Sequence, residues 1–161
     1  MEDVQKMRTI LSILFLGMAG IFSATSCSSP GSEDVRLNQT DSSEVIQLSL
    51  QQLFDVGKGQ LNPIYYQDTV MLVTSRISDR KYQVTINGRP TLFLPKSPER
   101  SEINWKEPQP IVEVFSFQIP TKDSCNLEIR LPTTGLFYNA SAKKGSNHRW
   151  NVTVGDPGHY K

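Results

Sequence analysis

Two cysteines in 161 residues are too few for a disulfide-stapled scaffold or a four-thiolate zinc site, and two histidines, His148 and His159, match no zinc spacing. Charge of one sign is missing as well. Seventeen Lys and Arg against sixteen Asp and Glu leave a formal charge of +1, which gives no field to recruit nucleic acid or another polyanion. No apolar run reaches the ~20 residues that a bilayer-spanning helix needs. There is no Gly-rich phosphate loop, no G-x-S-x-G elbow, no H-E-x-x-H and no EF-type calcium loop. No catalytic residue, metal or cofactor is therefore expected, and the function is read as non-enzymatic. With 37% apolar and 20% charged residues, the chain has the composition of one folded domain, neither disordered nor a multi-span membrane protein.

What is present begins at the N-terminus. Residues 10–22 (ILSILFLGMAGIF) form an uncharged apolar run of 13, the size of a secretory h-region and too short for a span. Upstream, Glu2 and Asp3 oppose Lys6 and Arg8. A start at Met7 gives MRTILSILFLG with a purely positive flank, as export signals require, so Met7 is taken as the start. Behind the apolar run come Ala24-Thr25-Ser26-Cys27 and the turn-rich SSPGSED.

This stretch resembles the signal and lipobox of bacterial lipoproteins, with Ala24 where that family commonly has Leu. The resemblance covers about the first 27 residues. It implies that residues 1–26 are removed and that Cys27 carries diacylglycerol and palmitate-type chains. It also implies an outer membrane location, because Ser28 replaces the Asp that retains such proteins at the inner membrane; whether the protein faces the periplasm or the cell surface stays open. At ~0.8 kcal/mol per buried methylene, two or three acyl chains hold a soluble domain to a membrane. With Cys27 acylated, Cys125 has no intramolecular partner and reads as a small buried apolar residue.

Residues 27–43 then form the lipidated cysteine and a flexible tether, since residues 28–43 (SSPGSEDVRLNQTDSS) are polar and turn-rich and reach ~20–25 Å. Residues 44–161 form the domain. Residues 44–54 read two ways. Ile46, Leu48 and Leu50 alternate with Gln47, Ser49 and Gln51 as in a strand, while Asp41-Ser42-Ser43-Glu44 imitates a capping box and Gly57 can stop a helix. The strand is preferred.

Beyond Thr69 the pattern is β. Val70-Met71-Leu72-Val73 is a short buried strand, and Tyr82, Val84 and Ile86 lead through Asn87-Gly88 to residues 91–94 as a hairpin with a bulged turn. Residues 95–110 carry four prolines and make a long exposed loop. Residues 111–119 place Phe115, Phe117 and Ile119 on one face and pair antiparallel with the alternating residues 125–131. Residues 148–154 close the set. Six to eight short strands and no convincing internal helix predict an all-β, antiparallel β-sandwich of immunoglobulin-like or transthyretin-like type.

The loops supply the candidate binding residues, Trp105 in the proline loop and Tyr65-Tyr66 after Asn62-Pro63, because aromatics at the ends of a rigid scaffold anchor partners. Lipid anchor, tether and small β domain together are similar to the docking lipoprotein of type VI secretion systems. That likeness implies an outer-membrane module that docks another protein of a cell-envelope complex. A surface lipoprotein that binds glycans or another ligand is the alternative. Acidic pairs such as Glu99/Glu102, and Asp156 with His159, read as solvated.

Overall fold

The computed structural model describes residues 37–78 and 81–160, all within the unit Asp34–Lys161. The export signal, Cys27 and most of the tether lie outside the described residues. Eleven elements follow in order: α1 (Gln39–Val56), α2 (Ile64–Gln67), β1 (Met71–Val73), β2 (Thr85–Ile86), β3 (Arg89–Pro90), β4 (Leu92–Phe93), β5 (Ile111–Thr121), β6 (Ser124–Leu131), β7 (Leu136–Lys144), β8 (Trp150–Val154) and β9 (Gly158–His159).

The preferred strand over residues 44–54 is a helix. Ser42, Val45, Ile46, Ser49, Leu50, Leu53 and Phe54 are its buried residues, a spacing of three and four that winds one stripe along α1. The strand alternation shares Ile46, Leu50 and Phe54 with this stripe; Val45 and Leu53 decide between them. Five buried apolar side chains at roughly 1.5–3 kcal/mol each outweigh propensity differences of a few tenths per residue. The helix also starts earlier than the tether was expected to end. Asn38 is the N-cap, its Oδ1 accepting from Asp41 N at 2.7 Å, so residues 39–43 are helical. At the other end Gly57 N–H donates to Leu53 O at 2.8 Å. A Cβ on Gly57 would stand 2.7 Å from the Leu61 side chain, so the chain turns there only because glycine lets the two approach.

The domain is rich in β structure, but its layers differ from the expected sandwich. One seven-stranded sheet runs β4-β1-β5-β6-β7-β8, with β9 on β7. The pairs β1–β4 and β1–β5 are parallel, whereas β5 to β8 form an antiparallel meander. The second layer over the core is α1, not a second large sheet. Val45, Ile46, Leu50, Leu53 and Phe54 join Val112, Val114, Leu127, Ile129, Leu131, Tyr138 and Trp150 in one cluster. Strand β6 shows the expected alternation, burying Cys125, Leu127, Ile129 and Leu131.

Two local expectations are corrected. Phe115 does not share a face with Phe117. Val114 pairs with Ile129 and Ser116 with Glu128, so Phe115 is the extra residue of a β-bulge that reverses the phase of the strand. Val114 and Phe117 therefore face the core, while Phe115 belongs to the other side. The hairpin turn is not bulged. Ile86 pairs with Arg89, and Asn87 and Gly88 have φ of 52° and 75°, the two left-handed residues of a type I′ turn. Leu92 belongs to neither strand of this hairpin: the chain leaves it and Leu92 pairs with Met71 of β1.

Asp41 fixes the helix across the sheet. Its carboxylate accepts from Lys144 Nζ at 2.9 and 3.0 Å and from Trp150 Nε1 at 3.1 Å. These donors, Lys144 first, hold its pKa below the usual carboxylate value. Its contribution to stability is therefore complete above about pH 4 and disappears as pH falls through the folded-state value. Asp41→Asn is expected to cost about 1 kcal/mol near neutral pH in urea unfolding. The wild type should then lose more stability than the variant on acidification; parallel pH profiles would contradict this role.

Candidate functional site

The face of the sheet away from α1 carries the outward residues of the meander. Glu113 of β5 pairs with Arg130 of β6, and Arg130 with Phe137 of β7. Arg130 Nε donates to Glu128 Oε1 at 2.7 Å. Arg76, in the turn after β1, donates from Nε to Glu113 Oε1 at 3.1 Å. Glu113 is 7% exposed in its side chain and Arg76 58%, so the buried member of the pair is the acid, which cannot lose its partner cheaply.

The bulged Phe115 organises this corner. The Arg130 guanidinium lies 3.0 Å and that of Arg76 4.3 Å from the centre of its ring. Arg130 also approaches the Tyr160 ring at 4.9 Å, cation–π geometry in both cases. Burial holds the Tyr160 phenol above its ordinary pKa, with Arg130 pulling the other way. Tyr160 is delivered by β9, where Gly158 packs directly on the Phe137 ring.

Over this corner folds the proline loop. Together they enclose a cleft of about 500 Å³, whose walls include Arg76, Glu113, Arg130, Tyr160, Arg100 and Trp105. Trp105 is 53% exposed. The long loop expected from the prolines is thus one wall of a cavity, and the expected aromatic stands in that wall with half its surface free. Glu102 uses its carboxylate locally, accepting from Glu99 N at 2.7 Å.

The two tyrosines do not join this site. Tyr65 is fully buried; its hydroxyl donates to Ile111 O at 3.1 Å and shares a 2.6 Å hydrogen bond with Thr133 Oγ1, and burial pushes its pKa up. Tyr66 donates to Phe54 O at 2.9 Å and sits edge-on to the Phe54 ring. Both pack at the C-terminal end of α1, which corrects the expectation that they are exposed anchors: short helix α2 turns them inward. Cys27, the expected lipidation site, lies outside the described residues.

Cys125 is a buried free thiol, and desolvation raises its pKa to about 11, which suits packing and not nucleophilic chemistry. Among the described residues no group of three or more His, Cys, Asp and Glu is placed to hold a metal, and no helix is long and apolar enough to cross a membrane.

The residues that the sequence did not single out are Arg76, Glu113, Phe115, Arg130 and Tyr160. One signal was present: a charged residue between Val112 and Val114, in a strand buried at both neighbours, has to find a counter-charge. No known protein family, curated protein or solved structure matches the chain.

Tyr65→Phe is expected to cost about 1–2 kcal/mol, because Ile111 O and Thr133 Oγ1 lose a buried partner, and to leave partner capture unchanged. Denaturant unfolding measures the first and co-purification the second. A variant of wild-type stability that fails to bind would restore Tyr65 to the binding residues.

Proposed function

We propose that the chain is a lipid-anchored, non-enzymatic binding module of the bacterial outer membrane that docks another protein of the cell envelope. The anchor is Cys27, read from the lipobox-like Ala24-Thr25-Ser26-Cys27. The observation that carries the docking reading is the half-exposed Trp105 in the wall of the cleft. A large aromatic with free surface beside a charged cavity is the usual composition of a binding hot spot. The rigid sheet beneath holds the cavity in shape, so little order has to be gained on binding. The likeness to secretion-machine docking lipoproteins supports the same role, with the partner a component of an envelope complex.

A glycan-binding reading has one observation of its own. Gln118, Asn126, Ser141 and Thr153 stand in direct register across β5, β6, β7 and β8, and all four line a shallow depression of about 440 Å³. Amide and hydroxyl groups in such a row match the donors and acceptors of a sugar chain. This row lies outside the Trp105 cleft.

Purification of the tagged full chain from detergent extracts tests the proposal. The wild type should retain labelled palmitate and a specific envelope protein. Cys27→Ser should lose the label, and Trp105→Ala should lose the partner without a change in melting temperature. Trp105→Ala capturing the same partner at full yield would remove the cleft from the account. Polysaccharide binding that survives Trp105→Ala would favour the row on the sheet.

A further inference from the structure

The cleft holds a small excess of positive charge. Its walls bring Arg76, Lys96, Arg100 and Arg130 against Glu99 and Glu113, and with Glu128 behind Arg130 the balance is four positive groups to three negative ones, in a protein balanced at 17 to 16. Both wall carboxylates are engaged, Glu113 with Arg76 at 3.1 Å and Glu99 with Lys96 at 3.6 Å. The two arginines are held in a particular way. Each gives its Nε to a carboxylate, Arg76 to Glu113 and Arg130 to Glu128, and each lies over the ring of Phe115. Among the described residues, the terminal nitrogens of neither arginine donate to any group.

A guanidinium has five N–H donors in a fixed plane. With one of the five used at Nε, the fork formed by the two terminal nitrogens remains on each arginine. That fork matches the two oxygens of a carboxylate or phosphate group. Glu113 and Glu128 beside the forks decide between these. They leave the arginine pair without a surplus of its own and repel a dianion more than a monoanion. Glu99 offsets Lys96 in the same way, so the excess positive charge of the cleft sits on Arg100, exposed in the proline loop. A monoanion at the forks with further negative charge along the loop is the pattern of an acidic peptide.

We propose that the cleft receives an acidic segment of the partner protein, with one side-chain carboxylate on the terminal nitrogens of Arg76 and Arg130 and an acidic neighbour against Arg100, beside the Lys96–Glu99 pair. The inference deepens the docking reading and rests on it. The stacked, pre-oriented forks select the carboxylate, and Trp105 covers the apolar part of the segment.

The test is fluorescence anisotropy of the full chain in detergent micelles with fluorescein-labelled hexaglutamate, hexaglutamine of the same design, and labelled oligogalacturonate. Hexaglutamate should bind, more weakly as salt rises, and hexaglutamine should not. Arg130→Lys, which keeps the charge and loses the fork, should weaken binding about tenfold. Lys96→Met/Arg100→Met changes only exposed loop residues, so it keeps the test open if Arg130 variants fold poorly; it should weaken binding and flatten the salt dependence. Equal binding of the two peptides, variants of wild-type melting temperature that bind hexaglutamate unchanged, or oligogalacturonate bound in place of hexaglutamate would each overturn the proposal. If hexaglutamate fails to bind while Trp105→Ala still abolishes capture of the native partner, the acidic segment is wrong and the docking reading stands.

Discussion

The burial of α1 against one face of the sheet decides what every other residue of the domain can do. Asp41 ties the start of the helix to Lys144 and Trp150 at the sheet edge, and Gly57, Tyr65 and Tyr66 close the far end. Between these ends the apolar stripe of the helix and the inward residues of β5 to β8 form one core. Strands covered on one side alone must present polar groups on the other. That second face is consequently where arginines, glutamates and amides collect, and where binding chemistry has room to develop.

The strand content was legible because alternation is a local property. Residues 125–131 alternate without exception, and Asn87-Gly88 marks its turn by backbone preference alone. The helix was not legible in the same way. Residues 44–54 satisfy both periods at Ile46, Leu50 and Phe54, and only packing against β8 and β2 selects between them. Strand β7 is illegible for a different reason: its inward residues after Tyr138 are Ala140 and Ala142, too small to produce a hydrophobic signal and common in helices. The parallel pairing of β1 with β4 and β5 joins segments some twenty to forty residues apart in the chain, a tertiary choice that no window of sequence contains.

The site was half legible. The proline content of residues 95–110 marks a loop that cannot enter a sheet, and Trp105 stands out within it. What the loop covers was hidden, because the corner is built by a bulge. Had β5 kept throughout the phase that Phe117 sets, Phe115 would have pointed into the core and Val112 and Val114 to solvent. The single extra residue keeps both runs in the core and places an aromatic ring on the opposite face, where it supports Arg76 and Arg130. The tyrosines mislead for the converse reason: adjacent aromatics in a polar, proline-containing stretch look exposed until a single helical turn rotates them toward Phe54.

Anchor and cleft divide the work in this account, the first keeping the module at a membrane and the second choosing what it meets there. Site-specific photocrosslinking in living cells tests that division most directly, with the photoreactive residue placed at position 105 and, as a control, at Gln51 on the exposed side of α1. The account predicts one envelope protein crosslinked from position 105 and none from position 51. Crosslinks from position 51 alone would place the partner on the helix side and contradict it.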